Sequence, residues 1–232
     1  VVCGIVPTTN PTSTVIFKSL ICLKTRNPII FSFHPSAHAC SVMAAVVIRD
    51  AAIAAGAPED CIQWLDLKSM YATTALMKHP GVATILATGG NAMVAAAYSC
   101  GKPALGVGAG NVPAYVEKTC VLPRAVNDIV LSKSFDNGMI CASEQAAIVD
   151  TEIYDAFMKE IKRFKVYFVN KEEKAKLETF MFGAVAYSDN VNAAKLNPNV
   201  VGKPATWIAE QAGFKVPEAV SYTHLTLPTS DL

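Results

Sequence analysis

Short apolar runs alternate with longer amphipathic segments through the first half of the chain. The runs are four to six residues long and contain many β-branched side chains, which favours buried strands, whereas the intervening segments show helical spacing. This alternation is typical of a parallel sheet covered by helices. The predicted strands are 1–6, 28–33, 61–65, 82–87 and 104–107, and the predicted helices are 12–25, 36–55, 68–78 and 91–99.

The alternation continues less regularly after a short interruption by two glycines and a proline, which lies between Gly108 and Pro113. Such residues break both helices and strands, so we expect a domain boundary between residues 111 and 112. The later part predicts extended structure at 113–118, helices at 123–133, 151–164 and 171–182, and a buried strand at 145–149.

Composition narrows the class of protein only a little. The 232 residues are 52% apolar, enough to bury a sizeable core, and the net charge of +1 gives no electrostatic basis for binding nucleic acid. The seven cysteines are an odd number without a C-x-x-C pair, which favours reduced thiols over a disulfide framework or a metal site. We therefore expect a cytoplasmic protein.

The longest apolar stretch, residues 40–56, contains Arg49 and Asp50. It is shorter than the roughly 20 mostly uncharged residues needed to cross a bilayer. We therefore predict a buried helix here and no membrane span.

Small and polar residues follow four of the predicted strands, at 7–10, 32–35, 88–90 and 106–108. The carboxyl ends of parallel strands lie at one edge of a sheet, where ligands bind, and glycines and hydroxyl groups there suit ribose and phosphate. Each loop taken alone is equally an ordinary turn. None carries the G-x-G-x-x-G fingerprint, so the sequence does not indicate a dinucleotide bound in the usual Rossmann manner.

Cys141 lies in a turn-prone run, SFDNGMICASEQ at 134–145, between a predicted helix and a predicted strand. A thiolate in a loop with free backbone amides is a strong nucleophile toward carbonyl carbons. The alternative is a small buried apolar residue, which is the common environment of a free cysteine.

The run around Cys141 resembles the nucleophile loop of the CoA-acylating aldehyde dehydrogenases, in particular the acetaldehyde dehydrogenase half of the bifunctional aldehyde-alcohol dehydrogenases. Three further motifs carry the same resemblance in the same order: GIVPTTNPTST at 4–14, ILATGG at 85–90 and GKPALGVGAGN at 101–111. Four ordered motifs are far more specific than any one of them. The resemblance extends from residue 1 to about residue 217, and the Thr- and Pro-rich end does not follow it.

The resemblance implies an α/β, aldehyde dehydrogenase-like fold. Residues 1–111 would form a parallel-sheet dinucleotide-binding domain truncated at its N-terminus, and 112–218 a truncated α/β catalytic domain. We expect residues 219–232 to be a non-native or disordered tail.

The resemblance also implies the site. Cys141 matches the catalytic nucleophile, and Asn10 matches the side chain that donates to the substrate oxygen, although helix N-capping explains Asn10 equally well from local sequence. The positions that match NAD contacts in the family are Ile5, Val6, Pro7, Thr8, Thr9, Asn10, Ser32, His34, Gly90 and Gly108.

The reaction implied is NAD-dependent oxidation of an aldehyde, expected to be acetaldehyde, through a thiohemiacetal and a thioester on Cys141. Hydrolytic relatives carry a glutamate base in the segment matching 105–111, where this chain has LGVGAGN. Coenzyme A is therefore the expected acyl acceptor, because a thiol needs no strong base.

The expected partners are a small-molecule aldehyde and coenzyme A, with neither nucleic acid nor a membrane. The resemblance implies that the parent protein is a homo-oligomer, with a fused alcohol dehydrogenase domain as an option. A related semialdehyde or acyl-phosphate reductase is an alternative, and so is a non-catalytic fragment of such an enzyme.

Overall fold

The computed structural model describes residues 1–108, 110–183 and 195–217, together with the backbone of 222–224. The chain divides into two compact units, Val1–Ala109 and Gly110–Leu232. Each unit has its own apolar core.

A five-stranded sheet with parallel neighbours throughout forms the centre of the first unit. The order across the sheet is third, second, first, fourth and fifth strand, so the chain builds outward from the first strand in one direction and then in the other. This doubly wound order confirms the predicted α/β class. The strands are β1 (Val2–Val6), β2 (Ile29–Phe33), β3 (Ile62–Trp64), β4 (Thr84–Thr88) and β5 (Ala104–Val107).

Helices cover both faces of this sheet, and the central strands are accordingly apolar on both faces. In β1, Val2 and Val6 belong to one buried cluster, whereas Cys3 and Ile5 belong to the other. The first two helices pack against the former cluster and the next two against the latter. The helices are α1 (Pro11–Lys24), α2 (His38–Ala54), α3 (Met70–Lys78) and α4 (Asn91–Tyr98).

The segment Pro35–Ala54, which includes α2, is long and apolar enough to cross a membrane by length and composition alone, with a mean hydropathy of 1.5. Core helices of soluble proteins meet the same criterion. Ile48 and Ala52 pack against the first core, whereas Met43 and Val47 are exposed. The prediction of a buried helix is therefore right for only one face of α2.

The second unit contains two separate parallel strand pairs. In the first pair, β6 (Val112–Val116) lies beside β7 (Glu144–Val149), and their core is completed by α5 (Leu122–Ser134) and α6 (Tyr154–Ile161). The remaining elements are β8 (Val166–Phe168), α7 (Lys171–Phe182), α8 (Ala205–Gln211) and β9 (Tyr222–His224), which pairs with β8.

Several predictions for the second unit need correction. The predicted helix at 151–164 is a 3-10 turn, Thr151–Ile153, followed by the shorter α6. The elements β8, α8 and β9 were not predicted. The expected tail at 219–232 lies outside the described residues, apart from the backbone of β9.

Candidate active site

The carboxyl ends of β1 and β4 form a topological switch point in the first unit. The two strands are neighbours, yet α1 follows β1 on one face of the sheet and α4 follows β4 on the other. The two connections therefore diverge and leave a crevice at this edge, which is where open α/β sheets bind ligands. The loops 7–10 and 89–90, both predicted from sequence to contact a cofactor, begin here.

Asn10 is the last residue before α1 and lies at its N-cap position. Its side chain makes no capping hydrogen bond, and its Oδ1 instead accepts a bond of 3.3 Å from the Thr9 hydroxyl. Pro11 starts the helix, so the first turn already lacks one N–H group that would need a cap. The interpretation of Asn10 as a side-chain cap is therefore wrong, and the Asn10 amide is not committed to the helix.

The two candidate residues at the end of β2 differ sharply in exposure. Ser32 is buried, and its hydroxyl lies 2.7 Å from the Thr73 hydroxyl of α3, so this group already joins strand to helix. His34 is exposed at the strand end, and its Nδ1 accepts a hydrogen bond of 3.2 Å from the Ser36 amide. The carboxyl end of β2 therefore exposes the imidazole of His34 rather than the hydroxyl of Ser32.

The candidate glycines occupy two different environments. At Gly90 an added Cβ would meet no atom within 4 Å, so a ligand has open access to the backbone at the start of α4. At Gly108 a Cβ would lie 2.7 Å from Asn91 Oδ1, and at Gly106 it would lie 2.5 Å from Val94 Cγ1. The end of β5 is thus packed so closely on α4 that Gly106 has no room for a side chain, whereas a side chain at Gly108 would displace the end of the Asn91 side chain.

In the second unit, a rare backbone conformation precedes Cys141. Asp136, Asn137 and Gly138 all have positive φ, at 52°, 52° and 71°. Asp and Asn tolerate this left-handed region better than other residues with side chains, yet consecutive residues in it are uncommon. The Asn137 amide Nδ2 holds the turn by donating to the Gly202 carbonyl at 2.9 Å.

Ser143 closes the other side of the same loop. It is only 3% exposed, and its hydroxyl donates to the Ile140 carbonyl at 2.8 Å, while its amide bonds the same oxygen at 3.0 Å. Cys141 lies inside this closed turn and is exposed. The alternative interpretation of Cys141 as a buried apolar residue is therefore wrong.

Two charged residues lie beside this loop, and neither is a catalytic candidate from sequence. Lys133 Nζ lies 3.5 Å from the position that a Gly138 Cβ would occupy, and burial lowers the pKa of Lys133 while the charge of Glu144 raises it. Glu144 Oε2 is buried and has no hydrogen-bond partner among the described residues. Sequence spacing gives no signal for this pair, because only the folded loop brings it together.

Burial separates the thiols of the chain into two groups. All seven cysteines are free. Burial raises the pKa of Cys3 to about 12 and raises that of Cys22, so these thiols resist ionisation. Cys40 and Cys141 are the two exposed cysteines, and Cys40 lies in the first turn of α2, where its thiol donates to the Ala37 carbonyl at 3.1 Å. Cys40 therefore provides an internal reference for the reactivity of Cys141.

Comparison with known proteins places this arrangement in a family. The aldehyde dehydrogenase family matches residues 1–194. An aldehyde-alcohol dehydrogenase of Streptococcus pneumoniae is 72% identical over 221 residues, which are 95% of this chain and 25% of that protein. An acetylating aldehyde dehydrogenase from Geobacillus thermoglucosidasius has 47% identity and a TM-score of 0.83, over 96% of this chain and 47% of that chain.

A propionaldehyde dehydrogenase from Rhodopseudomonas palustris, solved with bound propionyl-CoA, has 33% identity and a TM-score of 0.79, over 96% of this chain and 48% of that chain. The present chain therefore spans a quarter of the curated relative and about half of each solved structure. These matches confirm the fold and the resemblance drawn from the four motifs. The chain belongs to the aldehyde dehydrogenase family and is similar to acetylating members of it over nearly its whole length.

Proposed function

We propose that the protein to which this sequence belongs is an NAD-dependent, CoA-acylating aldehyde dehydrogenase. It would convert an aldehyde such as acetaldehyde to acyl-CoA, and acyl-CoA back to the aldehyde, as a cytoplasmic homo-oligomer. The observation that supports this most directly is the exposed Cys141 thiol on a turn closed by Ser143 and Asn137. A tight, anchored turn that exposes its cysteine suits a nucleophile, whereas a cysteine that only fills space is normally buried.

The chemistry assigned to Cys141 is addition to the carbonyl carbon. The thiolate forms the C–S bond, and the aldehyde oxygen takes a proton to give a thiohemiacetal. Loss of hydride from that carbon, together with the hydroxyl proton, leaves a thioester on Cys141. A nicotinamide dinucleotide supplies the hydride acceptor when bound.

Coenzyme A is the proposed acceptor of the acyl group. Its thiolate attacks the thioester carbon, the Cys141 thiolate departs, and acyl-CoA is released. No acidic residue occurs at 105–111, and the contacts of Gly106 with Val94 and Tyr98 of α4 leave no space for one at that position. Water would need a strong base for the same attack, whereas a thiol does not.

The residues proposed to hold NAD lie at the carboxyl edge of the first sheet. Thr8, His34 and Gly90 are exposed there, and the open space at Gly90 lets phosphate approach the first amides of α4. Pro7, Thr9 and Gly108 shape the loops, while Ile5, Val6 and Ser32 are buried and support the edge from within.

Asn10 is proposed as the donor to the aldehyde oxygen as that oxygen becomes negative. Its amide is half-buried and does not cap α1, which leaves it available. Loss of such a donor typically raises the barrier by about 3 kcal/mol.

The first test is a map of iodoacetamide labelling by mass spectrometry, at limiting reagent, on the folded chain with and without NAD. We expect Cys141 to react faster than Cys40, the other exposed cysteine, and to change its rate when NAD is added. A Cys141→Ser variant controls the peptide assignment. Equal rates at Cys141 and Cys40, unchanged by NAD, would contradict the proposal and favour a non-catalytic fragment.

The second test supplies acetaldehyde, NAD and coenzyme A, and measures reduced cofactor and acetyl-CoA together. Equal amounts of the two products, lost in Cys141→Ser, are expected. Formation of acyl phosphate with inorganic phosphate, in place of acetyl-CoA, would instead identify an acyl-phosphate reductase.

A further inference from the structure

Lys18 is the most deeply buried charged residue among those that the structure describes. It lies in the middle of α1 and is 2% exposed. Its Nζ donates to two main-chain oxygens, the Ile5 carbonyl at 2.6 Å and the Leu86 carbonyl at 2.7 Å. A lysine is almost never buried to this degree without compensating bonds, so these two bonds carry most of the compensation.

The two carbonyls belong to β1 and β4, the strands on either side of the switch point. Ile5 is one residue before the end of β1, and Leu86 is two residues before the end of β4. The ammonium therefore connects three elements at one point: the two strands from which the crevice loops depart and the helix that follows the first loop. No other described side chain donates to carbonyls of both strands.

Packing alone does not explain a lysine at this position. The groups that interact with it electrostatically are the Cys3 thiol on β1 and the Cys22 thiol on α1, and its two hydrogen-bond acceptors are neutral carbonyls. Burial accordingly lowers the pKa of Lys18 to about 7. An apolar side chain of similar volume would fill the space without this desolvation cost. A lysine at this position carries an energetic cost, which indicates a role beyond filling the core.

We propose that Lys18 is a positioning residue for the cofactor crevice. Its two hydrogen bonds fix the ends of β1 and β4 relative to α1, and this sets the spacing between the loops 7–10 and 89–90. The proposal rests on the proposed function, since a dinucleotide must contact both loops at once. Lys18 itself is enclosed by protein and does not touch the cofactor.

Three variants of the 232-residue chain test this role. Lys18→Met removes the donors and keeps the volume. Lys18→Gln removes the charge and keeps an amide donor. Lys78→Met, at an exposed position near the end of α3 in the same unit, is the matched control.

Hydrogen exchange followed by mass spectrometry is the primary measurement, because it needs no cofactor. In Lys18→Met we expect at least tenfold faster exchange in peptides that cover 6–10 and 87–91, with peptides of β2 and β3 close to wild type. In Lys18→Gln the exchange rate of these peptides should lie between those of wild type and Lys18→Met. Lys78→Met should match wild type throughout. Equal acceleration in every peptide of the first unit would indicate lost stability only, and unchanged exchange would indicate no role; either result overturns the proposal.

Equilibrium dialysis with NAD is the second measurement. We expect at least tenfold weaker binding in Lys18→Met at an unchanged folded fraction, as measured by circular dichroism, and no change in Lys78→Met. Unchanged NAD affinity in Lys18→Met contradicts the role. If wild type does not bind NAD, the NAD site proposed for this chain fails, and the exchange pattern alone decides whether Lys18 orders the loops. If Lys18→Met does not fold, Lys18→Gln is compared directly with wild type by the same two measurements.

Discussion

Substitution of Lys18 by Met should change how the stability of the chain depends on pH. The folded pKa of Lys18, about 7, lies below its ordinary value of 10.5. Between these two values the unfolded chain binds more protons than the folded one, so the free energy of unfolding rises with pH in this window. Methionine does not titrate, so in Lys18→Met this contribution to the pH dependence of the unfolding free energy disappears.

The size of the effect follows from the two pKa values. Each full unit of pH inside the window is worth about 1.4 kcal/mol, less near pH 7, where the folded group is half titrated. From pH 7 to pH 8.5 the stability of wild type should therefore rise by about 1.7 kcal/mol relative to Lys18→Met. The pH range ends below 9.0, the ordinary pKa of Cys3 and Cys22. Above it these thiols ionise in the unfolded chain but, because their folded pKa values are raised, not in the folded one, and this lowers the unfolding free energy as the pH rises.

Urea unfolding of wild type, Lys18→Met and Lys78→Met at pH 7.0, 7.5, 8.0 and 8.5 measures this difference. The five cysteines other than Cys3 and Cys22 are present in all three proteins, so their contributions to the pH dependence of the unfolding free energy cancel in the comparison. The difference in unfolding free energy between wild type and Lys78→Met should stay constant over the four pH values. A difference in unfolding free energy between wild type and Lys18→Met that also stays constant, within about 0.5 kcal/mol, would show that the folded pKa of Lys18 is not lowered to about 7 and would refute the reasoning.

Three further pairs of substitutions test the local geometry by urea unfolding. Gly106→Ala should destabilise the first unit by about 1–3 kcal/mol, because its Cβ would lie 2.5 Å from Val94 Cγ1, whereas Gly90→Ala, with open space, should be nearly neutral. Asn137→Ala should be less stable than Asn137→Gly by about 1 kcal/mol, since both lose the bond to Gly202 but only Ala is strained at a φ of 52°. Asn170→Ala should cost about 1 kcal/mol, because Asn170 and Glu173 form a reciprocal capping box on α7, and an Asn170→Asp variant should restore most of it.

The sheet of the first unit could be predicted because its strands are apolar on both faces and its helices are bounded by glycine or proline. β2 and β5 begin and end within a residue of their predicted limits. β8 could not be found, because it is three residues long, lies in a charged stretch, and depends on pairing with β9 far along the chain. The seven residues of α8 are too few to show a helical period.

The candidate site, like the fold, could be predicted only in part. Local chemistry made Cys141 a candidate but left burial as an alternative, and the resemblance of four ordered motifs decided between the two. The support of its loop was not visible, because Asn137 is anchored by Gly202, 65 positions later. Lys18 left a weak signal, as a charged residue on the stripe of α1 that also holds Val15 and Cys22, and only the contacts with β1 and β4 reveal its role.

The central position of β1 has a consequence for the time course of synthesis. Val2 pairs with Ile29 on one side and with Thr84 on the other, so the second edge of β1 stays open until β4 has emerged from the ribosome. At roughly 5–20 residues per second, this interval lasts about 4–16 s. Parallel pairing over such a separation also folds slowly. A nascent chain in this interval exposes an apolar strand edge, and we expect it to depend on chaperone binding until the Lys18 ammonium meets the Leu86 carbonyl and completes the centre of the sheet.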